Sequence, residues 1–353
     1  MKGLKSSNKI SGRNKVLLRL GLWGFLSVII LKLLFSFYPG LYDAIYLKGL
    51  FQIVRVFHDF SLGLLPIPSL YLVVPGMLLI FFWGSFGSWK NVFVSFAGFI
   101  LWTINLFYIL WAFNYHQPRL RDVLELSTNR IDSSYISTAF EAQTAKLSFM
   151  VYTLEDDWDL DCYEKQIRES QEFLLSSWAI PTLGRVRVRR ILAGSLLHFR
   201  TKGIYIPHAF EGHVDAGLYH VQHPFTMAHE MAHGYGITGE SDCNFIAYLS
   251  CLAIDDPNIN FSAELAYWRY LASYYARLHR EDWKNVYACL DPQLRYHLEK
   301  IREYINRYKD WMPRYRDKIY DRYLKSHGIS SGIASYDEMI VLIKAYSEKQ
   351  ESF

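Results

Sequence analysis

A chain of 353 residues is long enough for one ordinary domain plus a membrane anchor, or for two small domains. Its net charge of +4 is modest and clustered at one end, so nucleic acid is not implied as a partner. The hydrophobic fraction of 51% is also divided sharply: the first third carries very few charges, and the remainder reads like a soluble protein.

In chain order, Lys2, Lys5, Lys9, Arg13, Lys15 and Arg19 all precede the first acidic residue, Asp43. That basic start points to an inner-leaflet anchor and a cytoplasmic N-terminus. Three apolar runs follow, each close to the roughly 20 residues a helix needs to cross a bilayer. They predict transmembrane helices over about 20–38, 65–83 and 92–113. Lys32 interrupts the first, with a stem long enough to snorkel. Pro66, Pro68 and Pro75 would kink or delay the second, and the third has no charge and ends in aromatic residues. A cleaved signal peptide is disfavoured for the first run, because no small-residue cleavage site follows and two further spans do. Residues 1–114 are therefore expected to form a membrane anchor in contact with the lipid bilayer. The 38–64 loop would face outward, the 84–91 link inward, and everything from 115 to 353 outward. In a bacterium, that is the periplasmic or extracellular side of the cytoplasmic membrane.

From about His116 the pattern becomes amphipathic and helical. Helices are expected over 134–152, 163–178, 262–280, 292–308 and 313–327, with a short strand at 203–210. The basic, aromatic run 307–325 interleaves Asp310, Asp317 and Asp321, as a solvated helix face does. The fold class is thus mainly α: three transmembrane helices, then a predominantly helical α+β domain with a small β-sheet. Cys162, Cys243, Cys251 and Cys289 show no metal-finger spacing and read as buried free thiols. On one helix Cys243 and Cys251 would lie about 12 Å apart, too far to bond to each other. A pair with Cys162 or Cys289 stays open.

The chemistry lies between Pro224 and Ala253. His229 and His233 stand four apart, one turn of a helix, so both imidazoles can reach a single zinc. Glu230 is beside them, where its carboxylate touches a metal-bound water without filling the coordination site. Ala228 and Ala232 are small, and Thr226 suits an N-cap region. A turn containing Gly234, Gly236 and Gly239 reverses the chain, after which Glu240 and Asn244 share one face of a second helix. Glu240 is the expected third ligand, Asn244 a support for a histidine, and Asp242 the reserve ligand. Glu240 can also be read as ordinary N-terminal helix charge. The 203–210 segment, through Ile204, Tyr205 and Ile206, is either an edge strand that aligns substrate or a core strand. His208, His213, His220 and His223 form a loose cluster; most read as loop residues, with one of them open as an oxyanion-stabilising or metal-binding group.

The His229–His233 motif, its glycine turn and the Glu240/Asn244 pair resemble the gluzincin superfamily of zinc metallopeptidases. There a later glutamate is the third ligand and an acid four residues on supports a histidine. The gap from His233 to Glu240 is shorter than most gluzincins show, and Asn244 stands where Asp is usual. A metzincin would need its third histidine at Gly239. The chain is also similar over nearly its whole length to an uncharacterised bacterial membrane-protein family, a domain of unknown function. That resemblance lies in Pro224–His233 and in the Glu240–Leu249 run, and implies a zincin-like hydrolase from 115 onward.

The expected function is a membrane-anchored peptidase with one Zn2+ per chain, acting on a peptide or protein substrate with Glu230 as general base. The alternative is a zinc-binding scaffold or receptor without catalysis, which would have no use for Glu230.

Overall fold

A computed structural model describes residues 10–85, 88–128, 131–313, 318, 322 and 338–351. The chain divides into two compact units. The first comprises Met1–His116, Leu183–Arg185 and Ile206–Glu211; the second comprises Gln117–Thr182, Val186–Tyr205 and Gly212–Phe353.

In the first unit the long helices Gly12–Phe37 and Trp89–Leu110 lie against each other. Asn105 reaches across to donate from Nδ2 to the Gly21 carbonyl at 2.9 Å, and Trp102 Nε1 donates to Leu17 at 3.2 Å. Among the described residues these two helices are long and apolar enough to cross a membrane, while the apolar helix Leu70–Trp83 is shorter. Two of the three expected spans thus correspond to helices of sufficient length, and the one expected over 65–83 is a shorter apolar helix. Pro66 and Pro68 disfavour helix in the residues before them, and the helix starts only at Leu70.

The 38–64 stretch, expected as a loop, is largely helical, with a π-helix at Tyr42–Leu50 and an α-helix at Phe51–Asp59. The second of these is inside out. Gln52, Arg55, His58 and Asp59 are buried, whereas Ile53 and Phe57 are 69% and 75% exposed. Burying charge is costly unless it is compensated. Here Asp59 lies 3.5 Å from Arg55 Nε and accepts the Arg185 backbone N–H at 2.8 Å.

The second unit is built on the helices Ser133–Met150, Leu160–Ser177, His223–Gly234, Glu240–Leu252, Pro257–Leu278, Pro292–Asn306 and Glu338–Glu351. Asp132, Asp159, Asp256 and Asp291 cap four of them, each accepting backbone N–H groups of the first turn. The expected 262–280 helix starts earlier, because Asp256 caps it and Pro257 suits its first position. The expected 313–327 helix lies mostly outside the described residues.

Three strands, β1 (Arg187–Ile191), β2 (Gly203–Ile206) and β3 (Glu211–Asp215), form a sheet in the order β1–β3–β2. Only β2 was legible beforehand, and it is an edge strand shorter than the 203–210 run. The central strand β3 is buried throughout despite its polar composition. Its last residue, Asp215, accepts backbone N–H groups from Gly194, Leu196, Leu197 and Gly217 at 2.7–3.0 Å. That carboxylate ties the loop before β2 to the end of β3. The motif helix His223–Gly234 is enclosed by Leu160–Ser177, Glu240–Leu252 and Pro257–Leu278, burying Met227, Ala228, Met231 and Ala232.

Candidate metal centre

The motif helix begins at His223, with Pro224 in its first turn. Thr226 lies inside the helix rather than at its cap, donating from Oγ1 to the Gln222 carbonyl at 2.7 Å. Ser262 supplies an acceptor for one otherwise unpaired N–H, that of Phe225, at 3.1 Å. One turn apart on this rigid frame, the His229 and His233 rings stand 4.9 Å apart and nearly perpendicular, at 84°. The helix stops at Gly234, and Gly236 takes a φ of +90°, a conformation that side chains other than glycine resist. The chain reverses and Glu240 opens the next helix. Glu240 Oε2 comes to 3.2 Å from His229 Nε2 and 3.7 Å from His233 Nε2. The ligand atoms of the three residues all lie within 4.8 Å of one another, a group that could hold a metal ion.

The far side of each imidazole decides what the near side offers. His233 Nδ1 lies 2.8 Å from the Ile237 carbonyl oxygen, with Cys243 Sγ 3.3 Å from the same nitrogen. His229 Nδ1 lies 2.8 Å from Asn244 Oδ1, and Asn244 Nδ2 donates to the Tyr270 hydroxyl at 3.0 Å. Both Nδ1 atoms thus face oxygen acceptors, so Nε2 is the nitrogen that each imidazole turns toward Glu240 and would offer to a cation, be it a proton or a metal. Two imidazole nitrogens and a carboxylate converging on one point call for positive charge among them, supplied by a proton or by a metal. Two imidazole nitrogens with one carboxylate oxygen suit a divalent transition metal. The titration of these groups has the same origin. Burial favours neutral His233, yet Cys243 and Glu240 beside it outweigh this and hold its pKa well above the usual value. Burial likewise pushes Glu240 upward, but bonding to His229 and His233 holds it well below the carboxylate range.

Glu230 is placed differently. It is buried, lies outside the ligand group, and points toward the sheet. A Cβ at Gly203 would stand 2.6 Å from Glu230 Oε1, and one at Gly212 would stand 2.8 Å from Glu230 Cβ. Glycine at both positions is what lets the sheet come this close. The backbone N–H of Tyr205 bonds to the Glu230 carboxylate. Burial pushes its pKa up to about 7, against the downward pull of His229 and His233. A buried carboxylate with its pKa raised toward neutrality could take up and release a proton beside this group.

The other candidate residues separate clearly. Asp242 turns away from the ligand group, accepts the Leu120 N–H at 3.4 Å and faces Arg119. Burial raises its pKa to about 6. On β2, Ile204 is exposed, Tyr205 buried and Ile206 half-buried. His208 bonds to the Thr103 carbonyl, His213 lies within β3, His220 rests on the Trp158 and Tyr219 rings, and His223 is buried. Among the described residues none of the four joins the ligand group. All four cysteines are free, but Cys162 and Cys289 are exposed, so only Cys243 and Cys251 fit the expectation of buried thiols. Gly203, Gly212, Ile237, Cys243 and Tyr270 escaped the sequence reading as site residues. Their roles come from backbone groups, missing side chains or distant helices, none of which leaves a motif.

Comparison with curated proteins and with solved structures finds no match. A family match covers residues 46–344, a span that takes in the ligand group, Glu230 and all three strands. On that coverage, the chain belongs to the family described as protein of unknown function (DUF3810).

Proposed function

We propose that this chain is a membrane-anchored, zincin-like zinc peptidase, with one zinc held by His229, His233 and Glu240 and with Glu230 as general base. The observation that carries the reading is the contrast between two neighbouring carboxylates. Glu240 meets both Nε2 atoms and is held ionised, while Glu230 stands apart from the ligands and titrates at about 7. A scaffold would need the first and gain nothing from the second.

When bound, zinc would polarise the scissile carbonyl and acidify a water. Glu230 takes the proton of the attacking water and delivers it to the leaving amine. The Tyr205 N–H orients that carboxylate, and Asn244 with the Ile237 carbonyl keeps both imidazoles turned Nε2-first. The edge strand β2, through Ile204, Tyr205 and Ile206, offers backbone against which an extended peptide aligns.

The membrane part of the reading comprises three spans, Gly12–Phe37, Leu70–Ser85 and Trp89–Leu110. It places the N-terminus in the cytoplasm and the second unit outside a bacterial cytoplasmic membrane. Its support is the inside-out helix Phe51–Asp59, whose apolar outer face suits lipid, and the six basic residues before residue 20.

The test is a peptide-library digest by the zinc-loaded, detergent-purified chain, repeated with Glu230→Gln. That variant should lose about 10²–10⁴-fold in rate while keeping its zinc, because the ligands are intact. Equal cleavage by both proteins would sink the mechanism. Bound zinc with no cleavage by wild type would favour the scaffold.

A further inference from the structure

The second unit contains a cavity of about 350 Å³ that is lined by none of the residues of the candidate metal centre. Its walls come from the helices Pro257–Leu278, Trp283–Ala288 and Pro292–Asn306. The sequence explains why these helices leave room. Trp268, Ala272 and Ala276 follow one another at the four-residue spacing of one helix face, with Arg269 and Ser273 in the next row. Beyond the tryptophan that face carries only small side chains, whereas Trp283, Tyr287, Leu298, Ile301 and Ile305 on the other helices are large. Large groups set against small ones hold the helices apart around a gap.

The cavity is graded from floor to mouth. Trp268, Ala272 and Ile301 are buried, Arg269 and Trp283 are half-buried, and Ser273, Arg302 and Asn306 are exposed. Apolar surface thus lies deep, and polar groups stand at the opening. Two of those polar groups are guanidiniums, yet no carboxylate lines the cavity. Among the described residues neither Arg269 nor Arg302 forms an ion pair. Glu303, next to Arg302 in the chain, is taken instead by Lys300 and Arg307, at 2.7 Å each. Burial also pulls the pKa of Arg269 below its usual value, as it does for a cation that lacks a counter-charge. An anion at the mouth would supply that charge.

We propose that this cavity binds a small aromatic acid: its ring lies among Trp268, Trp283 and Tyr287, and its carboxylate or phosphate rests at the mouth against Arg269 and Arg302. The site goes beyond the peptidase reading and does not depend on it. Aromatic walls favour an aromatic guest beyond the gain from burial alone. Guanidinium groups take carboxylate and phosphate oxygens through paired N–H donors. The volume stands near the lower end of the usual range for small-molecule sites, about 300–1,000 Å³. It therefore suits a single ring on a short arm and is too small for a two-chain lipid.

The probes are 3-phenylpropionate, phenyl phosphate and the uncharged 3-phenylpropionamide. Each is titrated calorimetrically into the chelator-treated, detergent-purified full chain, so that no anion–metal bond contributes. At least one acid should bind about ten- to a hundredfold more tightly than the amide, and the tighter of the two identifies the anionic group. Arg269→Gln and Arg302→Gln, made separately, should each remove most of that preference and leave amide binding unchanged. Ala276→Leu fills the space beside the rings and should abolish binding of acid and amide alike, with the melting temperature confirming that the variant folds. Should it fail to fold, the two arginine variants decide the matter alone. Equal affinity for acids and amide in wild type would overturn the site, as would a preference untouched in both arginine variants. Binding of octanoate with neither aromatic acid bound would overturn it in favour of a fatty acid.

Discussion

The carbonyl oxygen of Ile237 lies 2.8 Å from Nδ1 of His233, across a reversal that depends on Gly236. Since a backbone carbonyl can only accept, this contact orients the His233 imidazole through the course of the main chain, whatever side chain stands at 237. Gly236→Ala should therefore damage two properties together. A left-handed backbone costs a side-chain-bearing residue about 1–2 kcal/mol, so the melting temperature should fall by a few degrees. Zinc affinity should also fall about tenfold as the carbonyl shifts. Calorimetric zinc titration alongside thermal melting checks both, and undiminished affinity would show that the reversal does not orient His233.

If the proposed site is right, elemental analysis of the purified chain should find about one zinc per chain, matching the one ligand group among the described residues. His233→Ala should remove most of it. Glu240→Ala should weaken binding more than Asp242→Ala, because Asp242 faces Leu120 and Arg119 instead. The reverse order would transfer the third-ligand role.

Asn244 contacts His229 and is not one of the proposed ligands, so it would act on a bound zinc only through that imidazole. Asn244→Ala should lower zinc affinity by about 10–100-fold, the usual effect of losing such a support. Asn244→Asp should retain affinity or improve it, since a carboxylate accepts from Nδ1 more strongly. Zinc competition with a chromophoric chelator measures both variants, and an alanine variant that binds as tightly as wild type would refute the assignment.

On acidification, His223 and His297 should act against the stability of the second unit, opposed by Glu230 and Asp242, whose raised pKa values favour the folded state as pH falls. Burial lowers the pKa of His223 from 6.5 to about 4 and that of His297 likewise to about 4. Below pH 6.5 the unfolded chain protonates these two imidazoles more readily than the folded one, so their contribution to stability is lost as pH falls from 6.5 toward 4. His223→Gln should flatten that decline by on the order of a few kcal/mol. Denaturant midpoints across this range test it, and an unchanged slope would exclude His223 as a contributor.

The three-span reading is tested by reporter fusions that work only outside the cytoplasm. A fusion after Asn114 should be active, and one within 84–91 inactive. Activity at both positions, or at the inner one alone, would reverse the orientation.

The ligand group could be approached from sequence because its donors lie close together in the chain and helical spacing converts numbers into faces. His229 and His233 need only a continuous turn of helix, and Glu240 only a reversal that glycines announce. The surroundings of Glu230 could not be foreseen in the same way. Gly203, Tyr205 and Gly212 act through close backbone approach, and β3 buries Glu211, His213 and Asp215 in a strand that reads as polar loop. In β1, arginines at three of five positions hide the buried Val188 and Ile191. The inside-out helix Phe51–Asp59 misled for the opposite reason. Its charges look like a loop between spans unless the outside is allowed to be apolar.

Every donor that would hold the metal, and both acceptors behind the histidines, fall between His229 and Asn244, whereas the environment of Glu230 is brought from a sheet that begins at Arg187. Contacts near in sequence close with little entropic loss, and distant ones form later. Pulse-labelled hydrogen exchange should accordingly protect amides of 229–244 before those of 203–212, and the opposite order would contradict this sequence of events. Affinity for the metal and the power to use it would then be acquired at separate moments of folding. A newly made chain would be able to carry its ion while still chemically inert.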